Sequence, residues 1–342
     1  WHAYLADKHS GDPQASGQKP DLPFLKGFNF AHEGYSIYNG YISQMAGESL
    51  GKMLELGSNA VAIVPYSFMR DPQRPVRLGI PDGAGSENDE SVIHSTVEAQ
   101  RLGLTVVLKP QIWLGGGSWP GDVQMQSEED WQQFFRYYHR WMLHYALMAE
   151  MRDIEVLCIG TEFARATLER PQDWRRLVNR IDALFSGQIT YAANWGEEFE
   201  QLSFWDEFDF IGLNCYYPLG EEAEMSVKAL ENNFRDVSKR VRSVQARYDK
   251  PVVITEIGFR SIQNPWDRPY AEPDRASYSG EHQRRCYEAV FRCLDKQEWC
   301  RGILWWKFPS YLDYGGRENL SYTPYNKPAE RVVRTWFDRL PD

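Results

Sequence analysis

Two glutamates occupy the positions in this sequence where chemistry is easiest to place. Glu162 follows an apolar run that ends Ile-Gly-Thr, and Glu256 follows one that ends Ile-Thr, so each run stops in a Thr-Glu pair. One glutamate after a strand is usually a solvated loop residue or a helix cap, but two matched instances are harder to attribute to chance. Paired carboxylates across a cleft are what glycoside hydrolysis requires, because one protonates the leaving oxygen while the other attacks or stabilises the anomeric carbon.

Eight short apolar runs are predicted to be β-strands. Several are hydrophobic almost throughout, for example residues 60–64 and 251–254, which is typical of parallel strands covered on both faces. The runs occupy residues 24–30, 59–65, 105–110, 154–160, 189–193, 208–213, 251–255 and 302–306. Glu162 lies just beyond the fourth run and Glu256 just beyond the seventh, so a closed barrel would place them across one mouth.

Amphipathic helices are predicted between most of these strands. Gly57 and Gly103 are expected to end two of them, and Ser127 followed by three acidic residues is a strong helix start. The predicted helices cover residues 48–56, 91–102, 127–150, 171–185, 221–248, 280–297 and 328–340. The connection 194–208 is short, so it has room for a helix of only a turn or two.

Strand and helix alternate eight times without an internal boundary, which predicts an α/β fold, a single (β/α)8 barrel over residues 24–342. A doubly wound sheet is the structural alternative, but no glycine-rich phosphate loop follows an early strand, and the Gly115–117 triplet lacks the required spacing. Residues 1–23 read as a polar tether rich in Gly, Pro and Asp. A tether on a chain that starts with Trp1 suggests an extracytoplasmic location.

Charge and composition exclude several classes of partner. The 342 residues carry a formal net charge of −10 with acids and bases interspersed, which disfavours nucleic acid because phosphate binding needs a basic face. No apolar run approaches the length of a membrane span. The chain has 13 Trp, 19 Tyr and 17 Phe; many of these must pack in the core, but a surplus near loops also suits sugar rings, whose C–H faces stack on aromatic planes. The oligomeric state stays open.

A metal site is not predicted. The five cysteines are dispersed with no CxxC pair, and whether Cys293 and Cys300 are bridged stays open because spacing alone cannot show it. His32 stands beside Glu33, but no third ligand has suitable spacing, and neither an HExxH motif nor a GxSxG motif occurs.

Several predicted strands end in amide, aromatic or basic side chains that could surround a polyol. In a β/α barrel these strand ends share one mouth. The candidate substrate-binding residues are Lys109, Trp113, Asn194, Trp195, Asn214, Tyr216, Trp305 and Trp306. Trp305 and Trp306 are adjacent, and neighbouring residues of a strand point to opposite sides, so only one of them is expected to face the cleft while the other packs against helices.

The chain resembles glycoside hydrolase family 113, a member of the clan of retaining β/α-barrel glycosidases that is best known for β-1,4-mannanases. The resemblance covers roughly residues 24–340, and its most specific parts are the two glutamate strand ends. The matching segments are Lys26-Gly27-Phe28-Asn29-Phe30, Leu108-Lys109-Pro110, Ile159-Gly160-Thr161-Glu162, Ile254-Thr255-Glu256-Ile257-Gly258 and Trp305-Trp306.

The resemblance implies that Glu162 is the acid/base, that Glu256 is the nucleophile, and that Tyr216 lies against the nucleophile. Two positions depart from the pattern: Thr161 stands where the wider clan commonly has an Asn before the acid/base, and Gln111 stands where a His is expected after Lys-Pro.

The implied activity is hydrolysis of a β-linked polysaccharide or oligosaccharide by double displacement, with β-1,4-mannan the favoured substrate and no cofactor. Two alternatives stay open: a β-glycosidase for a different glycan, and a catalytically silent barrel that binds glycans. Both glutamates are present, which argues against a barrel that binds glycans without cleaving them. Whether cleavage is internal or from a chain end also stays open.

Overall fold

The computed structural model describes residues 19, 21–32, 36–272, 275–295, 297–316 and 318–341. Most of the predicted tether, residues 1–23, and Glu33 of the considered metal site lie outside the described residues.

Ten strands are present in the described ranges, and eight of them form a closed parallel barrel. They are β1 (Leu25–Ala31), β2 (Ala60–Ile63), β3 (Tyr66–Met69), β4 (Thr105–Leu108), β5 (Gln111–Leu114), β6 (Val156–Thr161), β7 (Gln188–Asn194), β8 (Ile211–Asn214), β9 (Val252–Ile257) and β10 (Cys300–Pro309). The barrel order is β1-β2-β4-β6-β7-β8-β9-β10, closing on β1, while β3 and β5 pair in a separate two-stranded sheet. The predicted (β/α)8 barrel is confirmed, and each predicted strand overlaps one of the eight barrel strands.

Nine α-helices connect the strands within the same described ranges. They are α1 (Gln44–Glu55), α2 (Asp89–Arg101), α3 (Glu128–Met151), α4 (Ala164–Glu169), α5 (Pro171–Asp182), α6 (Glu197–Gln201), α7 (Val227–Tyr248), α8 (Gly280–Leu294) and α9 (Pro328–Phe337). The Ser127 side chain accepts a hydrogen bond from the Asp130 backbone N–H at 3.1 Å, as a helix start requires. The short connection after β7 holds the five-residue α6 and a single 3-10 turn at Trp205–Glu207, so its helices are as short as predicted.

Several predicted helix boundaries differ from the observed ones, and the largest difference is at residue 221. The helix expected from residue 221 begins at Val227, because the Ser226 side chain caps it by accepting the Ala229 N–H at 3.2 Å. Gly57 and Gly103 have φ of 89° and 76° just after α1 and α2, the left-handed conformation that favours glycine at a helix end.

The core has two parts, inside the barrel and between barrel and helices. The smaller cluster contains short side chains such as Ala60, Ala62 and Ala192, which fit the narrow space between eight strands. At Gly27 a Cβ atom would lie 1.8 Å from the Ala60 carbonyl oxygen, so only glycine permits this approach of β1 to β2. The outer cluster carries most of the large aromatic side chains.

The adjacent tryptophans of β10 point to opposite sides, as the alternation predicted. Trp305 is fully buried, and its ring stacks on Tyr287 of α8 at 3.8 Å and lies 5.2 Å from Phe291. Trp306 is half-buried and lines the central cleft. The interpretation of Trp305 as a substrate-binding residue was therefore wrong, because its side chain packs on the helical layer.

All five cysteines are buried and unpaired, which answers the question about Cys293 and Cys300. Within the part of the chain that the structure describes, no helix is long and apolar enough to cross a bilayer.

Trp305→Ala should lower the free energy of unfolding by about 3–5 kcal/mol, because it leaves a cavity against Tyr287 and Phe291. Trp306→Ala should lower it much less, because that ring faces the cleft. Urea denaturation of both variants, with the exposed Trp113→Ala as a control, measures the difference. Equal decreases in the free energy of unfolding of Trp305→Ala and Trp306→Ala would contradict the opposite orientations of the two rings.

Candidate active site

A cleft of about 1220 Å³ opens at the carboxyl ends of the barrel strands. Seven of the ten residues predicted from sequence line it: Trp113, Glu162, Asn194, Trp195, Tyr216, Glu256 and Trp306. The other three, Lys109, Asn214 and Trp305, do not reach it. The two glutamates and most of the predicted aromatic side chains are therefore brought together, as expected for strand ends of one barrel.

Glu162 lies directly after β6 and adopts a left-handed backbone conformation with φ of 58°. Its N–H donates to the Ala192 carbonyl of β7 at 2.9 Å, and Asn214 Nδ2 donates to Glu162 Oε1 at 2.9 Å. Burial in the cleft, and next the negative charge of Glu256, raise the pKa of Glu162 to about 8, while the Asn214 hydrogen bond acts in the opposite direction. The raised pKa favours the protonated form of Glu162, which is the form that a general acid needs.

Glu256 is almost fully buried and its carboxylate receives three hydrogen bonds. Tyr216 Oη donates to Oε2 at 2.9 Å, Gln111 Nε2 donates to Oε1 at 3.0 Å, and Lys109 Nζ forms an ion pair with Oε1. These donors stabilise the charged carboxylate and fix its orientation. The predicted position of Tyr216 against Glu256 is observed.

The prediction that Lys109 contacts substrate was wrong. Its side chain is completely buried below the cleft, where Nζ also lies 3.2 Å from Asn29 Oδ1 and 3.4 Å from the Thr255 carbonyl oxygen. A buried ammonium needs such partners because burial without them is costly. Lys109 therefore acts on Glu256 and not on a ligand in the cleft.

Asn214 was also placed wrongly among the substrate-binding residues. It is fully buried, donates to Glu162, and accepts a hydrogen bond from Thr255 Oγ1 at 2.9 Å. Asn214 thereby connects Glu162 to the strand that carries Glu256.

Shifts in the register between neighbouring strands orient the side chains of the two glutamates. The β6–β7 register shifts between Cys158 and Thr161, and the β8–β9 register shifts so that Asn214 pairs with Glu256. Such irregularities turn side chains away from strict alternation and are frequent next to active sites. Here they bring both Thr255 and Glu256 into contact with groups at the barrel mouth.

Several residues of the site were not among the substrate-binding residues predicted from the sequence. Gln111, noted only as a departure from the family pattern, contacts Glu256, and the cleft also contains Tyr66, Phe68 and Trp119. In β3 only Phe68 is exposed, and in β5 Ile112 and Leu114 are buried while Trp113 is exposed.

The loop between β9 and α8 also contributes to the cleft in a way that no spacing indicated. Tyr270 contacts Trp195 with ring centroids 5.5 Å apart, and Arg260 donates to Glu272 at 2.6 Å.

Over the described ranges, no group of three or more His, Cys, Asp or Glu side chains is arranged to hold a metal ion. The cleft contains one carboxyl group with a raised pKa, Glu162, and a second, Glu256, that accepts hydrogen bonds from three donors. Such a pair can act as general acid and nucleophile.

Several solved structures that resemble this chain are described as glycosidases. The GH113 β-mannanase AaManA from Alicyclobacillus acidocaldarius is 27% identical, with a TM-score of 0.82 over 93% of this chain and 98% of that chain. A second GH113 β-1,4-mannanase is 25% identical, with a TM-score of 0.81 over 93% and 100%. A β-glucuronidase from Ruminococcus gnavus, 15% identical with a TM-score of 0.61, shares the fold over 93% of this chain and 50% of that chain.

The sequence itself identifies the family. No curated protein sequence matches this chain, but the model of Glycoside Hydrolase Family 113 matches residues 30–327. That range contains both glutamates and all ten of the residues predicted from sequence, and the resemblance is confirmed. The chain therefore belongs to Glycoside Hydrolase Family 113 and is a retaining β-glycoside hydrolase.

Proposed function

We propose that this enzyme hydrolyses β-1,4-linked mannan or manno-oligosaccharides, with Glu162 as acid/base and Glu256 as nucleophile. The contrast between the two carboxyl environments supports the roles: burial raises the pKa of Glu162 to about 8, whereas Lys109, Gln111 and Tyr216 all donate to Glu256. Likeness over nearly the whole chain to a GH113 β-mannanase supports the choice of sugar.

In the first step a carboxylate oxygen of Glu256 attacks the anomeric carbon and forms a glycosyl ester. The bond from that carbon to the glycosidic oxygen breaks, and Glu162 gives its proton to the departing oxygen. Tyr216, Gln111 and Lys109 hold Glu256 in one orientation before attack, so little rearrangement precedes the reaction.

In the second step Glu162, now ionised, takes a proton from water while the water oxygen attacks the anomeric carbon and releases Glu256. The charge of Glu256 contributes to the raised pKa of Glu162. Since the ester carries no charge, that contribution disappears in the intermediate. The pKa of Glu162 therefore falls when the residue must act as a base.

The choice of substrate is tested on a panel of β-mannan, glucomannan, β-glucan and xylan, with products separated by size. We expect oligosaccharides from β-mannan and glucomannan. Products from β-glucan or xylan alone would indicate a β-glycosidase for another glycan, and no product from any polymer or from manno-oligosaccharides would indicate a silent binding barrel.

The two roles are separated with an activated aryl β-mannoside, whose leaving group needs no proton. Glu256→Ala should abolish turnover of the aryl and natural substrates alike, whereas Glu162→Ala should retain the first step on the aryl glycoside only. Added azide should accelerate Glu162→Ala and give a β-glycosyl azide.

Glu272→Ala is the matched control, because this cleft carboxylate is mostly exposed and contacts Arg260. It should retain hydrolysis of the natural linkage. Identical behaviour of Glu162→Ala and Glu256→Ala on both substrates would contradict the assigned roles.

The pH dependence of kcat/KM should reflect the ionisation of Glu162. The acid must be protonated in the free enzyme, so kcat/KM for a natural linkage should be retained below the pKa of about 8 and lost as pH rises through it. Glu162→Ala on the aryl glycoside should lack this alkaline limb. If kcat/KM of Glu162→Ala still falls at alkaline pH in the same way, a group other than Glu162 causes the fall.

A further inference from the structure

A third carboxyl group, Glu198, lies buried near the acid/base and takes no part in the two steps of hydrolysis. It is the second residue of α6, the short helix after β7, and only 1% of its surface is exposed. It is not among the residues that line the cleft, so it does not contact substrate. Keeping a charged group away from water is costly unless it is hydrogen-bonded, and the partners of Glu198 therefore indicate what it does.

All three hydrogen-bonding partners of Glu198 are donors. Tyr191 Oη and Thr167 Oγ1 donate to Oε1 at 2.7 Å and 2.8 Å, and the Asn194 N–H donates to Oε2 at 2.6 Å. Such a site fits a carboxylate, which only accepts hydrogen bonds, better than a protonated acid or an amide, which would also bring a hydrogen. Burial raises the pKa of Glu198 to about 7, and the three hydrogen bonds act in the opposite direction.

Tyr191 connects Glu198 to the backbone beside Glu162. The Phe163 N–H donates to Tyr191 Oη at 2.6 Å. Since a tyrosine hydroxyl group has only one hydrogen, Tyr191 donates that hydrogen to Glu198. Phe163 directly follows Glu162, so one hydroxyl group links the Glu198 carboxylate to the peptide bond between Glu162 and Phe163.

The backbone of Glu162 needs this support because its conformation is unfavourable. Its φ of 58° lies in the left-handed region, which residues with a Cβ atom seldom adopt and which persists where the surroundings enforce it. The Ala192 carbonyl accepts the Glu162 N–H at 2.9 Å, and Tyr191 holds the peptide group on the other side. Thr167, which donates to Glu198, lies on α4, the helix that follows the turn.

The charge of Glu198 also acts on Glu162. Burial raises the pKa of Glu162 most, and the charges of Glu256 and Glu198 raise it further. The Asn214 hydrogen bond and the charge of Lys109 act in the opposite direction. The pKa of Glu198, about 7, lies below that of Glu162, about 8, so Glu198 loses its proton first and its charge then opposes the ionisation of Glu162.

We propose that Glu198 is a positioning residue for the acid/base: through Tyr191 and Thr167 it fixes the turn that carries Glu162. Its negative charge in addition favours the protonated form of Glu162. The inference rests on the proposed role of Glu162 and concerns the steps in which Glu162 transfers a proton. Glu198 shares no hydrogen bond with Glu256, so the attack on the anomeric carbon does not depend on it directly.

The test compares Glu198→Gln with the unmodified enzyme on the glycan that is cleaved in the polysaccharide panel and on the activated aryl glycoside of the same sugar. Glutamine keeps the shape of the side chain, but it removes the charge and turns an NH2 group toward one of the three donors. We expect kcat/KM for the natural linkage to fall about tenfold or more, because the acid is misplaced. The first step on the aryl glycoside needs no proton, so kcat/KM for that substrate should change little.

The pH dependence of kcat/KM gives a second readout that a merely structural role of Glu198 would not change. Without the neighbouring negative charge, Glu162 ionises more readily. The alkaline fall in kcat/KM for the natural linkage should therefore move to lower pH in Glu198→Gln.

Glu197→Gln is the matched control, because it makes the same change of charge at the preceding residue of α6, whose side chain is exposed. It should leave both values of kcat/KM and the pH dependence unchanged. Tyr191→Phe keeps the buried ring but removes the hydroxyl group between Glu198 and Phe163. It should lose activity on the natural linkage and retain it on the aryl glycoside, which tests the same path if Glu198→Gln does not fold.

Equal losses on the two substrates, or an alkaline fall that does not move in Glu198→Gln, would overturn the proposal. Failure of the proposed roles gives a different result. If Glu162→Ala itself loses the first step on the aryl glycoside, Glu162 is not the acid/base. If Glu162→Ala retains that step and Glu198→Gln loses it, the role of Glu162 stands and Glu198 serves only the stability of the fold.

Discussion

Lys109 and Glu256 form an ion pair at the top of the barrel interior, where both side chains are almost entirely removed from water. Removing two charges from water is costly, and removing one partner of such a pair would leave the other buried and unpaired, at about 3–5 kcal/mol. The pair is stable because Asn29, the Thr255 carbonyl, Gln111 and Tyr216 occupy the remaining hydrogen-bonding positions. These groups come from or adjoin different strands, so the registers around the barrel must all be correct for the charges to be satisfied.

The same network separates the environments of the two carboxyl groups. Thr255 donates to Asn214, and Asn214 donates to Glu162, so the strands that carry the glutamates are joined by two short hydrogen bonds. Glu256 is surrounded by donors and a cation, whereas Glu162 has one amide donor and a negative neighbour. Burial and that neighbour raise the pKa of Glu162, and the charge of one carboxyl group is thereby coupled to the protonation of the other.

The outer wall of the cleft is formed by a different part of the molecule. The barrel is shared with a β-glucuronidase at a TM-score of 0.61, and one barrel supports many specificities because its loops vary. In this chain β3, β5 and the loop after β9 supply much of the cleft wall, including Phe68, Trp113 and Tyr270. The barrel interior therefore positions the two glutamates, while β3, β5 and the loop after β9 line the outer part of the cleft.

The sequence by itself determined the barrel and the two glutamates. Near-continuous apolar runs such as residues 60–64 have few other interpretations when helices separate them, and parallel strands of one barrel place Glu162 and Glu256 at one mouth wherever the loops go. The alternation within β10 likewise separated Trp305 from Trp306. These inferences use local periodicity and connectivity, and tertiary packing does not alter either.

Only the tertiary structure decided which strand-end side chains face the cleft. Lys109 and Asn214 looked like ligands for a polyol, but they lie below the cleft and bind Glu256 and Glu162, while the unassigned Gln111 and Phe68 line or adjoin it. The direction of a polar side chain depends on the register between neighbouring strands, and the register shifts beside Thr161 and Glu256 change it by one residue. Such a shift is set by packing between strands distant in sequence, and no pattern within one strand encodes it.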